Sequence, residues 1–252
     1  MRNGFLRTPF GPMYSEKTGT LQTFVRKARI AHKIILCFNH EWDTRYGENV
    51  SSTHDKIQIP SISSKNTIDV YNYSLNYVRD NKIKDLSDIV MVIDEAQFFD
   101  DEIIEFCREF KKYLEINVAF LDRNYLGQPF KFRDSQRNVS ELIALADYRI
   151  RTTATCSKMQ LQNGIFKPCG KAATLTQLEW PVDGPHSGKV ILSEEEFGEY
   201  NKYIESVEKK KSGVGDSQIK VGARDYKVRC EDCFVHPPNT SKYSIEKFYQ
   251  SL

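Results

Sequence analysis

Ile89-Val-Met-Val-Ile-Asp-Glu-Ala-Gln-Phe-Phe99 is an unbroken apolar run that ends in two acids. A strand that is half-exposed alternates apolar and polar residues; a strand covered on both faces does not. Residues 89–94 therefore read as a buried parallel strand. Lys33-Ile-Ile-Leu-Cys-Phe38 and Ile116-Asn-Val-Ala-Phe-Leu121 read the same way. Between them lie helical patterns, at Lys17 to Ala31, Asp101 to Leu114 and Val139 to Asp147. In the second of these, Ile103, Ile104, Cys107, Phe110 and Leu114 share one face at helical spacing. Strands alternating with helices predict an α/β fold, a parallel sheet flanked by helices. The Ser-, Asn- and Thr-rich stretch 47–66 reads as a loop.

Upstream of the acidic strand stands Gly11-Pro-Met-Tyr-Ser-Glu-Lys-Thr18, between a candidate strand and the first helix. A phosphate-binding loop has Gly, four residues, Gly, Lys, then Ser or Thr. Its backbone N–H groups surround a phosphate at a helix N-terminus, where the helix dipole also favours an anion. Gly11, Lys17 and Thr18 suit the turn, the outer phosphates and Mg²⁺; Pro12, Met13, Tyr14 and Ser15 form the loop between. Glu16 stands where the second Gly belongs. It adds bulk, and a negative charge about 4 Å from a phosphate charge would repel it by about 4 kcal/mol at an effective dielectric near 20. Pro9 falls within the candidate first strand and removes a ladder donor. Gly19 weakens the helix's first turn by about 1 kcal/mol.

The acids fit the loop. Asp94, at the end of its strand, is placed to hold Mg²⁺ through water near Thr18. Glu95 follows it and is a candidate to accept a proton from an attacking hydroxyl.

Four of the six cysteines fall in the last hundred residues. Cys230-Glu-Asp-Cys233 is a tight pair, while Cys156 and Cys169 are separated by twelve residues. Four thiolates from two places can close a tetrahedral Zn²⁺ site with no open position, which marks it as structural. Cys37 and Cys107 lie in apolar stretches and read as small core residues. Ser193-Glu-Glu-Glu196 is a capping box that opens a helix running toward Lys211, read as a solvated surface helix in an insert at about 181–217. The chain thus divides into a nucleotide-binding core, 1–150, and a cysteine-bearing lid, 151–252.

With 252 residues, 40% hydrophobic, 28% charged and a net charge of +2, the composition is that of a globular protein. So small a charge does not favour a nucleic-acid or membrane partner and points to a small-molecule substrate. No apolar run approaches the roughly 20 residues of a membrane span. No signal peptide is visible at residues 1–10, so a cytoplasmic protein is expected.

Taken together the motifs resemble those of the type II, zinc-containing thymidine kinases, over most of the chain. The resemblance is carried by Gly11–Ser15, Asp43-Thr-Arg-Tyr46, Ser52-Thr-His-Asp55, Asp94–Phe99, Leu121-Asp122 through Gly127-Gln-Pro-Phe130, Thr153–Cys156, Cys169–Thr176 and Val221–Cys233. It implies a RecA-like P-loop core with a zinc-anchored lasso, and ATP-dependent phosphorylation of the 5′-hydroxyl of deoxythymidine. It implies Lys17, Thr18 and Asp94 on ATP phosphates and Mg²⁺, with Asp43 and Arg45 in support. Glu95 would be the general base. Met13, Tyr125, Phe130, Thr176 and Tyr226 would line the nucleoside pocket. Cys156, Cys169, Cys230 and Cys233 would hold Zn²⁺. A homotetramer is also implied.

The departures from that family are Glu16, Pro9, Lys131 for a Gly, Leu178 for an Arg, Tyr125 for a Phe, and Met159 where a tight second Cys would stand. They leave two other expectations in play. One is a catalytically impaired homologue that serves as a binding or regulatory subunit; the other is a zinc-containing nucleic-acid-binding module, which the small net charge disfavours.

Overall fold

The computed structural model describes residues 4–42, 50–52, 58–212 and 225–238. Side chains of residues 50–52, 58–60 and 208–212 are outside that description. The elements run β1 (Phe5–Gly11), α1 (Lys17–Ile30), β2 (Ile34–His40), β3 (Val50–Ser52), β4 (Gln58–Pro60), β5 (Ile62–Ser64), α2 (Thr67–Asp80), β6 (Ile89–Asp94), α3 (Glu102–Phe110), β7 (Glu115–Val118), β8 (Phe120–Leu121), α4 (Ser140–Leu145) and β9 (Tyr148–Arg151). The tail adds β10 (Ala154–Thr155), β11 (Met159–Gln162), β12 (Ile165–Pro168), β13 (Ala172–Ala173), β14 (Leu175–Leu178), α5 (Glu194–Ser212) and β15 (Tyr226–Arg229).

The central sheet is parallel throughout, in the order β5-β2-β6-β7-β1, with β8 and β9 also on β1. All six residues of β6 are buried, and the two faces of the sheet explain why. Ile89, Met91 and Ile93 pack with Leu36, Phe38 and α3, whereas Val90 and Val92 pack with Leu21, Val25 and Ala28 of α1. A strand with helices on both sides has no polar face to spare.

Pro9 does sit within β1, and the sheet accommodates it. β7 and β8 form one line beside β1, with Leu6 opposite Ile116 and Phe10 opposite Phe120. That line lapses at Ala119, opposite Pro9. Ala119 turns both its backbone groups the other way, donating to Ile93 O at 2.9 Å and accepting from Ala96 N at 3.0 Å. The proline therefore stands where this side of the ladder has no bond to make, and it pairs in register with Ile150 of β9 on the other side.

Three expectations need correction. The stretch 47–66 is not simply loop: β5 extends the main sheet beside β2, and β3 pairs with β4. The hydroxyl-rich composition hid short strands. α2 was not anticipated, because its buried positions are the sparse set Thr67, Val70 and Ser74. The third correction concerns α5. Ser193 Oγ accepts from the Glu196 N–H at 3.1 Å, as a cap should, and Glu196 reaches back to the Leu192 N–H at 2.7 Å. Its body is not merely solvated, however. Tyr200 is fully buried, and Phe197, Tyr203 and Ile204 pack with it against Leu178, Trp180 and Ile191.

Candidate functional site

The loop from β1 to α1 is tied down at both ends. A Cβ at Gly11 would lie 2.3 Å from Thr152 O, so only glycine fits there. Ser15 Oγ donates to Pro12 O at 2.8 Å and lies 2.7 Å from Thr152 Oγ1. Lys17, nearly buried, places Nζ 2.6 Å from Pro12 O, inside the loop. Tyr14 and Glu16 both adopt left-handed backbone, at φ 59° and 61°. Glu16 is the N-cap of α1 and makes no side-chain cap. Its side chain is exposed. The backbone adds a further cost to the bulk and charge expected of Glu16. At φ 61° a residue with a Cβ bears about 1–2 kcal/mol of strain that a glycine would not.

The acidic strand end lies against this loop. Thr18 Oγ1 donates to Asp94 Oδ2 at 2.9 Å, and the Glu95 N–H donates to Asp94 Oδ1 at 2.9 Å. Glu95 is itself left-handed, at φ 53°, and 7% exposed. Gln97, almost wholly buried, donates from Nε2 to Glu95 Oε2 at 2.5 Å, while its Oε1 accepts from the Leu121 N–H at 3.0 Å. Gln97 thereby fixes Glu95 to the end of β8, a role the residue pattern did not announce. Asp122 was another residue not assigned a part. It is buried, Oδ1 has no hydrogen-bond partner among the described residues, and burial raises its pKa against the pull of Arg123, Arg151 and Lys17.

The tail meets the loop directly. The Met13 N–H donates to Thr176 Oγ1 at 3.0 Å, and Met13 packs with Ala154, Cys156 and Val228. Tyr125 and Tyr226 belong to one aromatic cluster. Burial pushes the Tyr125 hydroxyl up to about 12, helped by Glu194, and burial likewise raises that of Tyr226. Phe130 stands apart from them, edge-on to Phe98 at 6.1 Å. Asp43 and Arg45 lie outside the described residues.

Cys156, Cys169, Cys230 and Cys233 converge, with all four sulfurs within 4.8 Å of one another. A tetrahedron with metal–sulfur bonds of about 2.3 Å has its sulfurs about 3.8 Å apart. Cys169 Sγ and Cys230 Sγ are 3.8 Å apart. The residues between Cys156 and Cys169 form the hairpin β11–β12, which brings Cys169 back beside Cys156. Gln160 of that hairpin donates to Cys233 Sγ at 3.1 Å. Burial and the neighbouring thiols push Cys233 up to about 12, whereas at Cys156 the N–H groups of Cys230 and Lys158 outweigh burial and lower the pKa. Close thiols resist ionising together, because each thiolate repels the next, until a cation offsets their charge. Cys37 and Cys107, by contrast, are core thiols raised to about 12 by burial.

Comparison with known proteins gives the same family by two routes. The family model described as thymidine kinase matches residues 4–176. The thymidine kinase of Mycoplasmoides gallisepticum is 29% identical over 176 residues, spanning 69% of this chain and 67% of that one. That of Yaba monkey tumor virus is 34% identical over 160 residues, 62% of this chain and 76% of the viral one. That of Ureaplasma urealyticum serovar 10 is 30% identical over 172 residues, 68% and 67%.

Proposed function

The chain belongs to the thymidine kinase family, and from that premise we propose how its residues phosphorylate the 5′-hydroxyl of deoxythymidine with ATP. The observation that carries the reading is the bond from Thr18 Oγ1 to Asp94 Oδ2, which sets the loop beside the acidic strand end and Glu95. Lys17 and the loop N–H groups bind the ATP phosphates, and Gly11 to Thr18 form the cradle. Glu95 takes the proton as the 5′-oxygen attacks the γ-phosphorus; the bond from that phosphorus to the β,γ-bridging oxygen breaks, and ADP leaves. Gln97 keeps the Glu95 carboxylate aimed. Hydroxyl and carboxylate side by side suit a hard cation, so Thr18 and Asp94 would hold Mg²⁺, which when bound neutralises charge on the phosphates. Asp43 and Arg45 complete the phosphate region.

Met13, Tyr125, Phe130, Thr176 and Tyr226 line the nucleoside pocket in this reading. The Met13–Thr176 bond supports it, since it couples the phosphate loop to β14. The four cysteines would hold Zn²⁺ as an anchor for β14 and β15, with no part in the chemistry. The chain works as two units divided near residue 150, as a homotetramer in the cytoplasm.

No helix among the described residues is long and apolar enough to cross a membrane. The test is direct. Purified, metal-replete protein given ATP and thymidine should form dTMP and ADP in equal amounts. Folded protein that binds ATP and thymidine and forms no dTMP would instead mark a binding homologue.

A further inference from the structure

The family match ends at residue 176, and α5 lies beyond it. This helix nevertheless reaches the residues proposed above for the nucleoside. Tyr125 and Phe197 stack with ring centroids 4.9 Å apart and planes 25° apart. Phe197 in turn lies nearly parallel to Tyr200, at 6.2 Å and 19°. Three rings thus form a column that runs from the loop after β8 into the helix.

The far end of the column is fixed. Tyr200 is fully buried, Trp180 meets it edge-on at 5.6 Å, and its hydroxyl donates to Asp225 Oδ2 at 2.7 Å. Asp225 immediately precedes Tyr226 on β15. The near end is open, because Tyr125 and Phe197 are each only partly buried. A partly open ring held by a buried one is what a binding wall requires: the face that meets a ligand stays accessible while its position is set from behind.

We infer that α5 is a wall of the nucleoside pocket, and that Phe197 is a positioning residue that fixes the Tyr125 ring and so limits the width available to the base. The inference rests on the assignment of Tyr125 to that pocket. Phe197 acts through Tyr125 and touches no reacting atom. Its effect belongs to nucleoside binding and discrimination, and phosphoryl transfer and ATP are untouched by it.

Phe197→Ala removes the stacked ring from a partly exposed position. An aromatic pair of this kind supports about a three- to tenfold rise in KM for thymidine when broken. The turnover number and the KM for ATP should stay within about twofold, and the preference for thymidine over a bulkier purine deoxynucleoside should fall. Phe197→Tyr keeps the ring and should restore the parent values. Tyr200→Phe keeps every ring, loses the hydroxyl's bond to Asp225, and should raise thymidine KM about two- to threefold; it guards against a misfolded alanine variant.

The outcomes separate cleanly. If Tyr125→Ala raises thymidine KM and Phe197→Ala and Tyr200→Phe do not, the inference is overturned and the pocket assignment stands. If Tyr125→Ala also leaves it unchanged, the pocket assignment fails first. A parallel loss in both substrates' KM and in turnover would make α5 a general brace, and a lower thymidine KM in Phe197→Ala would make it an obstruction; either result overturns the wall.

Discussion

The carboxylates at the end of β6 and the four sulfurs of the tail are both close-set groups that repel when ionised, yet they are held by different means. Asp94 and Glu95 end a strand buried along its whole length and paired on both sides, with β2 and β7. The sulfurs hang on two-residue and four-residue ladders. β12 of that region is exposed at every position, and Leu161, Ile165 and Phe166 are each more than 60% exposed. Packing alone can hold the acids in place. A small, open set of ladders buries too little apolar surface to do the same for four thiols, so a metal held by them would supply what packing there does not.

The largest expected effect breaks the comparison on the tail side. The parent protein should carry about one Zn²⁺ per chain, and Cys230→Ser should abolish that binding. The binding energy of such sites in peptides, about 10–16 kcal/mol, is largely folding energy. The tail should then become protease-sensitive and lose its contribution to thymidine binding, while the parallel sheet keeps its melting transition. Full zinc occupancy measured by atomic absorption in Cys230→Ser, or equally in Cys169→Ser, would remove that residue from the ligand set. Collapse of the whole chain would show that core and tail share one cooperative unit.

The next test falls on the core side. Glu95→Gln preserves shape and its contact with Gln97 while removing the proton acceptor. Turnover should drop by about 10²–10⁴, with thymidine and ATP dissociation constants and thermal stability nearly unchanged. Unchanged turnover would reduce Glu95 to part of the structural link between β6 and β8.

The same contrast governs what could be read from residue order. β6, β2 and the β7–β8 line were legible because buried parallel strands are apolar throughout, and that signal is local. The meeting of the loop with Asp94 and Glu95 was legible from residue types at fixed spacing after two strands. Gln97 was not, since its role depends on β8 arriving from 24 residues away in sequence to offer the Leu121 N–H. The convergence of Cys169 was readable only from the order of the motifs, as twelve intervening residues say nothing about a hairpin. α5 was misjudged because its aromatic side is matched by Leu178, Trp180 and Ile191, and burial of that sort is visible only once the partners are in place. α2 escaped because Thr67 and Ser74 at its buried positions are polar, which blunts the helical period.

The smallest effect sharpens the comparison at a point where the well-packed core carries strain. Glu16 sits at φ 61° and ψ 31° as the cap of α1, with an exposed side chain. Two costs can be separated there. The left-handed backbone is unfavourable for any residue with a Cβ, and the carboxylate adds negative charge to a loop proposed to receive a phosphate. Glu16→Gly removes both; Glu16→Gln removes only the charge. If strain dominates, the glycine variant should gain about 1 kcal/mol in unfolding free energy, somewhat offset by the entropy glycine adds to the unfolded chain. Gln should then leave stability where it was. For ATP, an exposed charge is screened over about 10 Å at 0.1 M salt, so Glu16→Gln should tighten binding by less than about threefold and the gain should fade as salt rises. A loop that reaches the phosphate more closely with glycine should tighten ATP by up to about tenfold, a gain of about 1.4 kcal/mol that salt does not erase. If instead both variants gain equally and lose the gain together in salt, the charge is the obstacle and the backbone reading is wrong. If neither gains, the loop closes on phosphate with Glu16 in place, and the glycine is dispensable in this chain.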